Sequence, residues 1–208
     1  MTTFYFVRHG QTNANAKGLK QGVINTEITY LNEVGKAQAE SLHKVFDISF
    51  ADRIIASPLK RTIDTANTLN QTANLPVTTD DRLLEISYGG WDGQSNKELQ
   101  QKYPDVFDAN INDVLPSYAK LAHGETFSSV IKRVENFMEE MATEYPDEQI
   151  IVVSHGFTIK AAMLVATQTD KVMTINEPDN CSVTKIQLSQ TANQAYIFYF
   201  NRSAIGQF

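Results

Sequence analysis

The 208-residue chain is predicted to fold as an α/β three-layer sandwich, a mostly parallel central sheet with helices on both faces. Short apolar runs at 4–7, 53–56 and 149–153 are β-branched or aromatic and do not alternate with polar residues. That is the pattern of strands buried on both faces of a parallel sheet. Helical periodicity follows each run, and alternating strand and helix signals indicate α/β architecture. No repeat, low-complexity tract or linker divides the chain, so residues 1–208 read as one domain.

The elements follow in order. The first strand, 4–7, runs into Arg8-His9-Gly10, and a helix over 32–46 presents Val34, Ala37, Leu42 and Val45 as its apolar positions. The strand 53–56 leads to a helix over 58–73, with Pro58 in its first turn and Ser57 as N-cap. Residues 89–124 hold Gly89, Gly90, Gly93, Pro104 and Pro116 and read as a short helical insertion over the carboxyl ends of the strands. A helix over 126–145 carries Phe127, Val130, Ile131, Val134, Phe137, Met138 and Met141 on one stripe. His123-Gly124-Glu125-Thr126 reads as its cap in preference to the alternative, a wall of the substrate pocket. The strand 149–153 precedes a helix over 157–167 that is apolar on most sides and therefore buried. Residues 182–188 and 194–200 form two further strands, joined by a turn at Ala192-Asn193, at or near a sheet edge.

Composition narrows the function classes. The chain is 42% apolar and 20% charged, which excludes strong disorder. Its 18 basic against 24 acidic residues, a net charge of −6, argue against broad nucleic-acid binding and against a basic membrane surface. A local arginine cluster can still bind an anion. No apolar run approaches the roughly 18 residues of a membrane helix, the amino terminus has no basic leader, and the lone Cys181 forms no intrachain disulfide. A cytoplasmic protein is expected; whether it is a homodimer stays open.

The chemistry gathers where the strands end. Val7 is followed by Arg8-His9-Gly10, Ala56 by Ser57-Pro-Leu-Lys-Arg61, and Val153 by Ser154-His155-Gly156. Ligands of open α/β sheets bind outside the carboxyl ends of the strands. Two histidines, two arginines and helix N-termini on one edge suit an anion. Zinc ligation by His9, His155 and Glu85 is disfavoured, because the two His-Gly steps lie far apart, there is no His-Glu-x-x-His, and two arginines would oppose a cation.

Val7-Arg8-His9-Gly10-Gln11-Thr12-Asn-Ala-Asn15 resembles the opening motif of the histidine phosphatase superfamily, also called the phosphoglycerate mutase-like family. Three further segments resemble its second, third and fourth motifs, in the family's order: Ser57-Pro-Leu-Lys-Arg61-Thr-Ile-Asp-Thr65-Ala66, Leu84-Glu85-Ile-Ser-Tyr88-Gly89-Gly-Trp-Asp-Gly93, and Val153-Ser-His155-Gly156. The resemblance implies His9 as the nucleophile that becomes phosphohistidine. Arg8 and Arg61 would clamp the phosphoryl oxygens, which His155 would also hydrogen-bond, and Glu85 would be the general acid. It places Gln11, Thr12, Asn15, Gln21, Gly22, Tyr88 and Gly156 around the substrate, with no metal and no cofactor. Asp81 or Asp92 could replace Glu85 as proton donor. Asn25 stands near where many members carry an acid, and Glu27 where a proline is common; both lie in the substrate-side loop.

The implied activity is hydrolysis of a small phosphorylated metabolite. The alternatives are a cofactor-dependent phosphoglycerate mutase, or a non-catalytic binding module on the same fold. Mutases resemble Glu-Arg-His-Tyr-Gly at the third motif, whereas this chain reads Glu85-Ile-Ser-Tyr-Gly89, and the four central residues His9, Arg61, Glu85 and His155 are all present. Both facts favour the phosphatase.

Overall fold

The computed structural model describes residues 1–189 and 194–204. Its elements are β1 (Thr2–Arg8), the single turn α1 (Asn13–Ala16), α2 (Glu33–Val45), β2 (Arg53–Ala56), α3 (Lys60–Leu69) and β3 (Val77–Thr79). An insertion of α4 (Asn96–Lys102), β4 (Phe107–Asp108), β5 (Asp113–Val114) and α5 (Tyr118–Ala122) follows. The chain closes with α6 (Phe127–Glu144), β6 (Gln149–Ser154), α7 (Gly156–Thr167), β7 (Ser182–Ser189) and β8 (Gln194–Ser203).

Six strands form one sheet in the order β3-β2-β6-β1-β7-β8. The first four are parallel, and β7 and β8 are added antiparallel at one edge. The expected α/β sandwich is therefore the observed one. Alternate residues of the central strands feed two separate cores. Phe4, Phe6, Ile55, Ile150 and Val152 pack with α6 and α7, while Tyr5, Val7, Ile54, Ile151 and Val153 pack with α2 and α3. Strands with both faces covered cannot alternate with polar residues, which is why the runs read as continuously apolar. Phe4 and Phe6 are fully buried, each contributing about 1.5–3 kcal/mol by leaving water.

Four local expectations need correction. On α2, Val34 and Val45 are exposed (52% and 68%). The buried face is instead Gly35, Ala39 and Leu42, because the helix approaches the first loop through a glycine. A Cβ on Gly10 would lie 2.4 Å from the Gly35 carbonyl oxygen, so neither chain can stand off. Ser57 is not a cap: α3 begins at Lys60 with Leu59 as its N-cap residue and no side-chain cap, and it ends at Leu69 rather than 73. The edge strand β3 went unseen, because all three of its residues are exposed and carry no apolar pattern. The insertion is not only helical, since β4 and β5 pair as a short antiparallel ribbon. The turn expected at Ala192-Asn193 lies outside the described residues. Thr126 caps α6 by accepting from the Ser129 N–H at 3.1 Å.

Candidate active site

The register of β1 and β6 sets the centre of the site. Arg8 lies opposite Ser154, and the His9 N–H donates to the Ser154 carbonyl at 3.0 Å. The next residue on each strand is then a histidine, and the two rings meet edge to face with centroids 5.2 Å apart. β2 adds the third arm, as the Ser57 N–H donates to the Val153 carbonyl. One turn later, α3 buries Arg61 (1% exposed) beside both rings.

Hydrogen bonding fixes both tautomers. His9 Nδ1 sits 2.7 Å from the Gly10 carbonyl. A carbonyl only accepts, so Nδ1 carries the proton and Nε2 carries the lone pair. Burial, then Arg61 and Arg8, hold His9 well below the ordinary imidazole pKa, so it is neutral at neutral pH. Arg61 Nε donates to His155 Nδ1 at 3.3 Å. Arginine only donates, so the His155 proton is on Nε2, 2.8 Å from Ser57 Oγ. Burial and Arg61 also depress the His155 pKa. In this structure both His155 nitrogens are thus engaged within the protein, so the expected bond to a phosphoryl oxygen requires Nε2–H to leave Ser57.

One N–H on each Arg61 Nη holds the first loop, reaching the Ile24 and Gly22 carbonyls at 2.9 and 2.8 Å, and the other N–H on each Nη is left as a donor. Asn25 Oδ1 accepts from the Lys60 N–H at 3.0 Å, tying the same loop to the head of α3. The departure at Asn25 therefore has a structural use. Thr12 and Asn15 form a reciprocal cap on α1. Thr12 N–H occupies Asn15 Oδ1 at 3.1 Å, which leaves the Asn15 amide N–H groups as donors.

A cavity of about 410 Å³ opens beside these groups, lined in part by Arg8, Asn15, Gln21, Gly22, Glu85 and Tyr88. His9, Arg61, His155 and Gly156 are buried behind that lining. Besides Gly156, two expected substrate residues are not part of it. Thr12 is fully buried and spent on capping, with its hydroxyl also 2.9 Å from Gln21 Oε1. Gln11 turns to α2, where its N–H meets Gln38 and its side-chain oxygen accepts from Asn32.

Glu85 is 8% exposed, and its Oε1 accepts from the Ile86 N–H at 3.0 Å. Neither aspartate offered as a substitute lines the cavity. Asp92 instead accepts from the backbone of Tyr88 at 2.9 Å and from that of Val23, joining the third motif to the first loop. Trp91 belongs to the core of the insertion, stacked on Tyr103 and Phe107, whereas Tyr88 does face the cavity. His123 ends α5 in the left-handed conformation, away from the cavity lining.

Sequence reasoning missed four residues. Ser57 orients His155. Lys20 and Asp113 pair at 3.0 Å and tie the first loop to the insertion, with the Lys20 ammonium 4.5 Å above the Tyr88 ring. Glu177, between α7 and β7, lies 3.4 Å from Arg8. None stands in a spacing that marks it; Ser57 alone could have been suspected, from its place at a strand end. Among the described residues, no cluster of three or more His, Cys, Asp or Glu side chains is placed to hold a metal ion. No helix among them is long and apolar enough to cross a membrane.

Comparison with known proteins agrees with the motifs. The family model described as histidine phosphatase superfamily (branch 1) matches residues 4–198. Phosphoserine phosphatase 1 of Hydrogenobacter thermophilus is 32% identical over 195 residues, 93% of this chain and 90% of that protein. A metal-independent phosphoserine phosphatase of Arabidopsis thaliana is 33% identical over 176 residues, 81% of this chain and 70% of that one. The solved structure of Bacillus stearothermophilus YhfR superposes with a TM-score of 0.85 at 26% identity, covering 99% of this chain and 100% of that chain.

Proposed function

The chain belongs to the histidine phosphatase superfamily, branch 1, and from that premise we propose that it hydrolyses small phosphomonoesters through a phosphohistidine on His9. The observation that carries this reading is the Nδ1–Gly10 bond of a buried, neutral His9, which leaves Nε2 as a lone-pair nitrogen beside Arg8 and Arg61. Nε2 attacks phosphorus as the bond to the leaving oxygen breaks, and Glu85 gives that oxygen its proton. The ring gains positive charge, which the Gly10 carbonyl stabilises through Nδ1–H. Arg8, Arg61 and the Asn15 amide hold the phosphoryl oxygens, and His155 Nε2–H turns from Ser57 to join them. Phosphoryl transfer gains most from such fixed charge and positioning. Water then attacks the phosphorus, the P–N bond breaks back to His9, and Glu85 recovers a proton from the water. Phosphate leaves and the starting protonation is restored.

The relatives support a hydrolase acting on small metabolites, two of them named for phosphoserine. The mutase alternative would return the phosphoryl group to a second hydroxyl. One assay separates the two. Incubation with 3-phosphoglycerate and with a panel of alkyl phosphates, in EDTA, is expected to release inorganic phosphate without isomerisation. Isomerisation outpacing release would favour the mutase, and loss of activity in EDTA restored by one divalent ion would overturn the metal-independent mechanism.

A further inference from the structure

We propose that Glu177 makes this enzyme selective for phosphomonoesters whose leaving group carries an ammonium, by pairing with that ammonium after the phosphoryl group has taken Arg8 from it. The inference rests on the phosphohydrolase reading above.

Glu177 sits at the join between the phosphoryl site and the cavity. Its Oε2 is 3.4 Å from Arg8 Nη2. It also lies so close over Gly156, at the head of α7, that a Cβ there would approach it to 2.0 Å. The charged groups facing it come from four segments: Arg8 of β1, Lys20 of the first loop, Glu85 of the third motif and Asp113 of β5. Arg8 and Lys20 are the cations among the described residues lining the cavity, against Glu85, Asp113 and Glu177. Lys20 is already committed to Asp113 at 3.0 Å. Arg8 is therefore the cation available to Glu177, and Arg8 is also the phosphoryl clamp.

The charge balance shifts when a dianionic phosphoryl group binds. Arg8 turns its donors to the new oxygens, including Nε, which is buried without a hydrogen-bond partner. Glu85 is the proton donor of the reaction proposed above. Glu177 is then the carboxyl in the cavity wall without a counter-charge, and it stays ionised where a cation replaces Arg8. Even before this, burial and the neighbouring Glu85 and Asp113 push its carboxyl up to about 7, against the pull of Arg8 and Lys20. An ammonium on a short leaving group supplies the missing charge within a cavity of about 410 Å³. A carboxylate at the same place would bring no such charge and would add to the negative charge of the bound phosphoryl group.

The test compares kcat/KM for three substrates of matched length. Phosphoethanolamine carries an ammonium, propyl phosphate is neutral, and phosphoglycolate carries a carboxylate. The wild type is expected to prefer phosphoethanolamine over propyl phosphate by about tenfold or more, the scale of one charge-assisted hydrogen bond, and to disfavour phosphoglycolate. Glu177→Gln should bring the first ratio close to one, and Glu177→Asp should restore part of it. A ratio is unaffected by a general loss of active enzyme. A wild-type ratio near one, or the full ratio surviving in Glu177→Gln, would overturn the proposal while leaving the phosphatase reading intact. Absence of phosphate release from all three substrates and from p-nitrophenyl phosphate would overturn that reading and this proposal with it.

Discussion

Replacing Ser57 by alanine isolates the hydrogen bond that orients His155. Arg61 can only donate to His155 Nδ1, so Nε2 must carry the proton, and Ser57 Oγ accepts it at 2.8 Å. Both residues are fully buried, and among the described residues no other acceptor is bonded to this nitrogen. The variant leaves a buried N–H unpaired, a loss of about 1–3 kcal/mol. For a chain of this length each kcal/mol moves the melting temperature by about 2–4 °C, so a fall of about 2–12 °C is expected. Because Nε2–H leaves Ser57 for a phosphoryl oxygen during turnover, the unpaired N–H burdens the free enzyme and not the reacting complex, and kcat on p-nitrophenyl phosphate should stay within about tenfold of the wild type. Thermal melts give the first quantity and steady-state rates the second. Nitrogen NMR of the imidazoles reports the third: in the wild type, His9 protonated at Nδ1 and His155 at Nε2. An unchanged melting temperature together with an unchanged His155 spectrum would refute the assignment.

Two further outcomes follow from the same geometry. Glu85→Gln keeps the side-chain shape and removes the transferable proton, so hydrolysis of alkyl phosphates should slow by about 10²–10⁴-fold. p-Nitrophenyl phosphate, whose phenolate needs no proton, should lose much less, and equal losses on both would reduce Glu85 to a positioning role. The second outcome is acid destabilisation of the unliganded protein. His9 and His155 stay neutral in the fold because burial and Arg61 hold their pKa values down. Below about pH 6.5 the unfolded chain therefore takes two protons that the folded one refuses. Glu177, raised to about 7 by burial, opposes this by one proton, since the folded form binds it first. The net difference is about one proton, so stability should fall by about 1.4 kcal/mol per unit between about pH 6 and 5. Urea denaturation across that range measures it, and stability that rises on acidification would contradict the assigned neutral histidines.

The site was legible where chemistry and strand ends coincide. Arg8-His9-Gly10 and Ser154-His155-Gly156 stand directly behind buried strands, so the parallel register alone brings them together. Arg61 is the second residue of the next helix. The buried run of α7 was equally plain, because an apolar helix has one place to go. Residues that act through tertiary contact left no such mark. Lys20 and Asp113 are 93 positions apart and meet only because the insertion folds back over the first loop. Glu177 occupies a connection without periodicity, and its closeness to Arg8 depends on the bare Cα of Gly156. The apolar face of α2 was misplaced for a related reason. Its contact is made by Gly35 and Ala39, whose small size permits close approach, whereas a reading by hydrophobicity favours the larger Val34 and Val45. Tyr88 and Trp91, three positions apart in one motif, face a cavity and a core respectively, a division set by the turn at Gly89 (φ 59°) that the residue types do not disclose.

The central claim is that His9 Nε2 carries the phosphoryl group. Rapid mixing with excess p-nitrophenyl phosphate should release a burst of nitrophenolate matching the enzyme concentration wherever dephosphorylation limits turnover. Quenching in alkali, followed by peptide mapping, should then find an acid-labile phosphate on His9 bonded through Nε2, and His9→Ala should show neither the phosphopeptide nor turnover. A His9→Ala protein that still hydrolyses the ester, or a phosphoryl group trapped on any other residue, would contradict the account.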